Sequence, residues 1–179
     1  MRLTPLATAL TALTLPITAH TEVVNRTVTL NSLPYILAHK DGSAEKGLSL
    51  WEFIPEGQTL TTWSNMFTIT NISRPNSKIT PQSFLKLIEN SVHARGRVLH
   101  SNVQSSTLCY VMEGPRGIET NAWKAVTGPD GLIWTNAVQQ TVPPTDEGIA
   151  QINNPQGPFW TFCNAMSQNT WDMKYPATR

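Results

Sequence analysis

From residue 48 to residue 54 the chain reads "LSLWEFI", and its apolar and polar positions alternate. Leu48, Leu50, Glu52 and Ile54 fall on one side, Ser49, Trp51 and Phe53 on the other. A period of two with apolar residues on both sides predicts a strand covered on one face and partly covered on the other. Pro55 lacks an N–H and ends the ladder, and Gly57 permits a turn. Alternation resumes in "NMFTITNI", with Phe67 and Ile69 on one face, so the two runs predict neighbouring strands. Trp63 lies in their connection and is expected to fold back over the sheet edge.

The period then changes. Residues 81–95 carry Phe84, Leu85, Ile88 and Val92 at helical spacing, with Leu87 at the margin of the stripe. Thr80 is a favourable N-cap, and Pro81 suits the first helical position, where its missing N–H matters least. His93 and Arg95 would face the negative end of the helix dipole, and Gly96 would supply a left-handed cap.

After Gly96 the period returns to two. "RVLHSNVQSSTLCYVMEG" predicts two strands around a turn near residues 104–106. "TNAWKAVTGPDGLIWTNAVQQ" predicts a hairpin turning at "GPDG", with Trp123 and Trp134 able to meet across it. Before residue 48, residues 23–30 predict a strand, followed by a short apolar piece and a polar turn with Gly42 and Gly47. The stretches 73–81 and 141–158 read as connections, and "GPFWTFCNAM" as the start of a helix more readily than a strand. The pattern predicts an α+β domain: a mainly antiparallel sheet packed against one long helix, with a C-terminal helical element.

The first residues change where this domain would work. "MRLTPLATALTALTLPITAH" has one cation, Arg2, then an uncharged Leu/Ala/Thr-rich run ending in Ile17 and Ala19 at the −3 and −1 positions of a cut. That is the layout of a secretory signal peptide over residues 1–19, leaving residues 20–179 as a single domain in the periplasm or outside the cell. Without Arg2 the chain carries 12 Lys+Arg against 12 Asp+Glu. Such a balance offers no electrostatic reason to expect nucleic acid as a partner, and no later run is apolar enough to span a membrane.

Two cysteines, Cys109 and Cys163, are separated too widely for a CxxC redox or metal motif. In an oxidising compartment the simplest reading is one disulfide, and the alternative is two separate buried thiols.

The segment "WEFIPEGQTLTTWSNMFTI" resembles a pattern in uncharacterised exported bacterial proteins, carried here by Glu52, Phe53, Pro55, Gly57, Gln58, Trp63 and Met66. The helix and hairpins that follow are loosely similar to the α/β/α sandwich of PsbP-like proteins. The resemblance covers about twenty residues and implies a fold, with no activity, cofactor or substrate attached to it.

Candidate chemistry is sparse. His20, His39, His93 and His100 show no metal-ligand spacing, so neither metal nor cofactor is indicated. After cleavage His20 would begin the chain, where its amine and imidazole could chelate copper, as in copper-dependent polysaccharide oxygenases. Cys109 with His100 or His93 would make a thiolate–imidazole pair if unbonded. Glu52, Glu56, Glu113 and Glu119 lie near strand ends, solvated there or paired as acid and base. "GPRG" (114–117) reads as a surface turn, and the sequons at 25–27 and 71–73 mark exposed positions if the host glycosylates.

The six tryptophans remain. Most rings are expected in the core, with a minority forming a groove on the uncovered sheet face. Trp51, Phe53 and Trp63, with Glu52 beside them, are the expected binding residues. The expectation is an exported, non-catalytic binding or envelope accessory protein, with a protein, peptide or glycan as partner. The alternative is a small exported enzyme, either a hydrolase or a copper oxidoreductase built on His20.

Overall fold

A computed structural model describes residues 27–43, 47–73 and 78–176. The leader-like residues, His20 and the first two residues of the first sequon, Asn25 and Arg26, lie outside these. The chain runs β1 (Thr27–Leu30), β2 (Leu33–Ser43), β3 (Leu48–Pro55), β4 (Asn65–Ile72), α1 (Pro81–Val92), β5 (Gly96–Asn102), β6 (Thr107–Gly114), β7 (Gly117–Thr127), β8 (Ile133–Val142), α2 (Asp146–Asn153) and α3 (Pro158–Ser167).

All eight strands form one sheet in the order β1-β2-β3-β4-β8-β7-β6-β5, and every neighbouring pair is antiparallel. Two four-stranded meanders therefore meet at β4 and β8. The α1 segment carries the chain from the centre of the sheet to its far edge, and the second meander works back to β4.

The expectation of one long helix packed on the sheet is overturned. A 12-residue helix is about 18 Å long, whereas eight strands at about 4.8 Å spacing span roughly 35 Å. The α1 helix covers only β5, β6 and β7, burying Leu85 and Val92 against Leu108, Tyr110 and Ala125, with Phe84 and Ile88 alongside. Successive residues of a strand point to opposite faces. Cys109, between Leu108 and Tyr110, therefore faces the other side, where α3 lies. There Phe159, Phe162, Cys163 and Met166 pack with Phe53, Phe67, Ala122 and Val138. Both faces carry helices, and those among the described residues are short, at 12, 8 and 10 residues.

The start of α1 follows local rules. Thr80 Oγ1 accepts from Ser83 N–H at 3.1 Å and Ser83 Oγ accepts from Thr80 N–H at 2.8 Å, a reciprocal capping box. Its end does not follow the expectation. The helix stops at Val92 with His93 still right-handed, Arg95 lies beyond it, and Gly96 opens β5 without a positive φ. Glycine is needed there for a different reason, since a Cβ would lie 2.3 Å from the Val111 carbonyl oxygen on β6.

Three further expectations change. Residues 33–43, expected as an apolar piece and a turn, are the strand β2 with a bulge between Leu37 and His39. Its burial pattern is mostly exposed because only the short β1 separates it from the sheet edge. Gly42 sits inside it at φ +78°, where a Cβ would meet the Leu48 carbonyl oxygen at 2.1 Å. The connection 141–158 contains α2, capped by Thr145 Oγ1 accepting from Gly148 N–H at 3.2 Å. The second sequon's Asn71 is buried in β4, not exposed, because β4 is a central strand.

Cys109 and Cys163 are bonded, with an S–S distance of 2.08 Å, tying β6 to α3. Both are fully buried. Their sequence separation of 54 closes a loop that the chain-entropy model values at about 4 kcal/mol. Replacing both cysteines by serine is expected to lower the unfolding free energy by about 2–4 kcal/mol, read from urea denaturation.

Tyr110 is buried under α1, and burial, the main cause, pushes its phenol up from 10.0 to about 12. Above pH 10 the unfolded chain releases this proton while the folded chain holds it, so stability falls as pH rises. Between pH 10 and 12 the loss assigned to this group is roughly 2–3 kcal/mol. Tyr110→Phe is expected to flatten that slope when urea midpoints at pH 9 and pH 11.5 are compared.

Candidate functional site

The α3 face of the sheet brings rings from distant parts of the chain into one row. Trp51 of β3 stacks on Trp134 of β8 with centroids 5.9 Å apart. Tyr175, from the segment after α3, meets the Trp134 ring edge-on at 5.3 Å. Phe53 and Phe67 are 6.0 Å apart, and Trp171 lies 6.2 Å from Phe67 and 6.0 Å from Phe162. Alternation places Trp51 and Phe53 on this face together, as expected. The expected meeting of Trp123 and Trp134 does not occur. Trp123 pairs with Ala137 and Trp134 with Val126, an offset that sets the rings on opposite faces. Trp123 packs instead against Phe84 of α1 at 6.4 Å.

Residues 170–176 form a tail without regular secondary structure that crosses this row. One side chain of the sheet grips it. Fully buried Asn136 accepts at Oδ1 from Lys174 N–H at 2.7 Å and from Trp171 Nε1–H at 3.1 Å. Its Nδ2 donates to the Lys174 carbonyl at 2.9 Å and to the Thr135 carbonyl at 3.0 Å. Every hydrogen-bonding capacity of this amide is used, which is what makes its burial tolerable.

Directly across the ladder from Asn136 is Lys124, also buried. Its ammonium donates to the Met166 carbonyl at 3.0 Å, to the Ser105 carbonyl and to Asn169 Oδ1. Burial pushes its pKa down from 10.5, and the acceptors at the end of α3 hold the group in place. Half-buried Ser167 completes the anchor. Its Oγ lies 2.8 Å from His100 Nε2 and accepts from Asn102 Nδ2 at 3.2 Å.

Two grooves flank the tail. One, of about 330 Å³, lies between Thr29, Phe53, Met173 and Tyr175. The other, of about 220 Å³, lies between Thr29, Phe162 and Trp171. Lys174 borders both, and the floor is set by β1 and the ring row. At the other end of the sheet a cavity of about 160 Å³ is bounded by Asn65, Gln140 and Gln151, and two of these amides bond each other at 2.9 Å.

The four expected binding residues do not share one surface. Trp51 and Phe53 are core residues of the α3 face, and Phe53 also borders the larger groove. Half-buried Glu52 points to the opposite face, because it lies between them in the strand. Trp63 is buried at the end of the sheet with Ile54 and Met66, rather than over an edge. Arg116, from the "GPRG" turn, sits 4.4 Å above its ring and donates to the Trp63 carbonyl at 2.6 Å.

The acid–base and thiolate expectations are also separated by the topology. Glu52 on β3 is divided from Glu113 and Glu119 by β4 and β8, and the latter two point to opposite faces of their hairpin. His100 does pair with Cys109 across β5 and β6, but the sulfur is committed to Cys163. Among the described residues, no three His, Cys, Asp or Glu side chains gather as metal ligands, and no helix is long and apolar enough to cross a membrane.

Asn136, Lys124 and the tail were missed by pattern reading. Their signal was a polar residue at an inward position of an otherwise apolar strand, in "NAWKA" and "WTNAV". Comparison with protein-family models, curated proteins and solved structures finds no match to this chain.

Asn136→Ala would leave the Lys174 N–H and carbonyl and the Trp171 indole N–H without their partner. A loss of about 1–3 kcal/mol in unfolding free energy is expected from urea denaturation, with red-shifted Trp171 emission as the tail loosens.

Proposed function

We propose that this protein is an exported, non-catalytic binding or envelope accessory protein that takes its ligand on the ring-lined α3 face, along the grooves beside the tail. The observation that carries the reading is a pair of grooves that share Lys174, walled by Phe162 and Trp171 in one and by Phe53 and Tyr175 in the other, which belong to the two ring sets of this face. Aromatic walls with a few polar groups are what small-ligand and peptide sites are made of. The leader-like N-terminus and the buried Cys109–Cys163 bond support export, since such bonds persist in oxidising compartments.

The arrangement around Ser167 favours binding over hydrolysis. A Ser–His contact of 2.8 Å has the reach of a nucleophile and base. Ser167, however, is the last residue of α3, where backbone carbonyls point outward and an oxyanion is disfavoured. Asn102 donates to the same hydroxyl and His100 contacts it, so the trio acts as a clasp between the edge strand and the helix.

Titration of the full chain with extended peptides and with cell-wall glycan fragments, read by tryptophan emission, tests the proposal. Saturable shifts are expected for one class. Exposed Thr29 borders both grooves, so Thr29→Trp is expected to weaken that binding about tenfold without changing the circular dichroism spectrum. No shift with either class, or unchanged affinity in the variant, would overturn the reading.

A further inference from the structure

We infer that residues 170–176 are a resident self-ligand, and that the face beneath them is a docking groove for an extended peptide of the same chemistry from another chain. The inference rests on the binding reading above for a ligand on the α3 face, and places it in the seat of the tail rather than beside it, with a stated chemistry: an aromatic residue, two spacers, then a lysine followed by an aromatic residue, as in "WDMKY".

The grip on the tail is of a kind that recognises peptide backbone. Asn136 Oδ1 and Nδ2 bond both the N–H and the C=O of a single residue, Lys174, at 2.7 and 2.9 Å. A neighbouring β-strand offers the same pair of bonds to an extended segment. Because the contact is to main chain, it does not depend on which side chain follows. Side-chain selectivity comes from the rings on either side. Trp171 sits between Phe67 and Phe162, and Tyr175 stands on the edge of Trp134.

The tail is seated as an occupant is, rather than as a core element is. It has no regular secondary structure, its one internal side-chain bond is the exposed Lys174–Asp172 pair at 2.6 Å, Trp171 and Lys174 are only half-buried, and Tyr175 is 40% exposed, with Pro176 alone buried. Open volume of about 220 and 330 Å³ remains on its two sides. The strands it covers are held in place by pairing that does not involve it. Phe53, Phe67 and Asn136 are held by β3, β4 and β8, each paired on both sides, and the end of α3 is fixed by the disulfide and Lys124. Removing the tail therefore uncovers a face whose strands are already in place.

A tethered occupant competes at high effective concentration, so a peptide supplied in solution meets a site that is open only a fraction of the time. Its apparent affinity falls by that fraction. Loosening the tail while leaving the groove intact should restore it.

The test uses the full chain and the synthetic peptide TWDMKYP, with TADMKAP as control. Hydrogen exchange follows the Lys174 amide, whose N–H is bonded to Asn136. Saturating TWDMKYP is expected to accelerate exchange of that amide about tenfold, and TADMKAP to leave it unchanged. The full-chain variant W171A/Y175A is expected to bind TWDMKYP about tenfold tighter than the wild type. If this variant does not fold, the wild-type exchange measurement decides alone. Binding of TWDMKYP with Lys174 protection unchanged would overturn the tail exchange while leaving the binding reading intact. Absence of binding to the wild type and to a folded W171A/Y175A variant would overturn it as well. Formation of dimers by W171A/Y175A mixed with wild type, lost on adding TWDMKYP, would support exchange with the tail of a second copy.

Discussion

The covalent bond between Cys109 and Cys163 fixes α3 against the sheet, and the position of the tail depends on it. It joins a strand of the second meander to the middle of a helix of 10 residues that lacks a side-chain N-cap. An isolated helix of that length is marginal in water. Held by the bond, and by Phe159, Phe162 and Met166 packed on the sheet, it becomes the lid of the larger core cluster. Its C-terminal end is then fixed from three directions. Lys124 holds the Met166 carbonyl, and His100 and Asn102 hold Ser167.

That fixed end determines where the tail leaves. Thr170 and Trp171 donate their N–H groups to the Ala165 carbonyl, turning the chain out of α3 toward β8. Asn136 lies where it can receive the segment. A polar pair in the middle of a greasy face, Lys124 and Asn136 on neighbouring strands, is unfavourable unless each group is bonded. Both are bonded to the same piece of chain, the end of α3 and the tail. Stability and site are therefore linked in one network, and a ligand that displaced the tail would also have to satisfy Asn136.

The opposite face is built differently. There α1 covers three strands at one edge, and a polar row runs across the centre: Thr68 Oγ1 donates to Gln139 Oε1 at 3.4 Å, and Gln139 Nε2 donates to Asn121 Oδ1 at 2.9 Å. The ring-bearing face has the grooves and the tail, whereas this face has a cross-strand ladder of amides beside the helix. The asymmetry follows from connectivity. The α1 segment must travel to β5, while α2 and α3 follow β8 and return over the centre.

Local chemistry was legible in the amino-acid sequence. The capping box at Thr80, the Phe84–Val92 stripe, the "GPDG" turn and the alternation of β3 and β4 depend on residues within a few positions of one another. Such preferences act before any tertiary contact forms. The cysteine count and the absence of a CxxC spacing pointed to the single bond that joins β6 to α3. What sequence could not decide was set by long-range pairing. β2 reads as a loop because near the sheet edge a strand needs no apolar alternation. α2 hides in a polar stretch because only Ile152 and Gly148 are buried. Which rings meet depends on register between strands as distant as β3 and β8, so Trp51 finds Trp134 while Trp63 finds Arg116. Glu52 was separated from its aromatic neighbours by the pleat, and Asn136 gained its role only when a segment 38 residues further along was laid across it. Capping and alternation are encoded by neighbours in the chain, but a shared surface exists only after distant strands have chosen their partners.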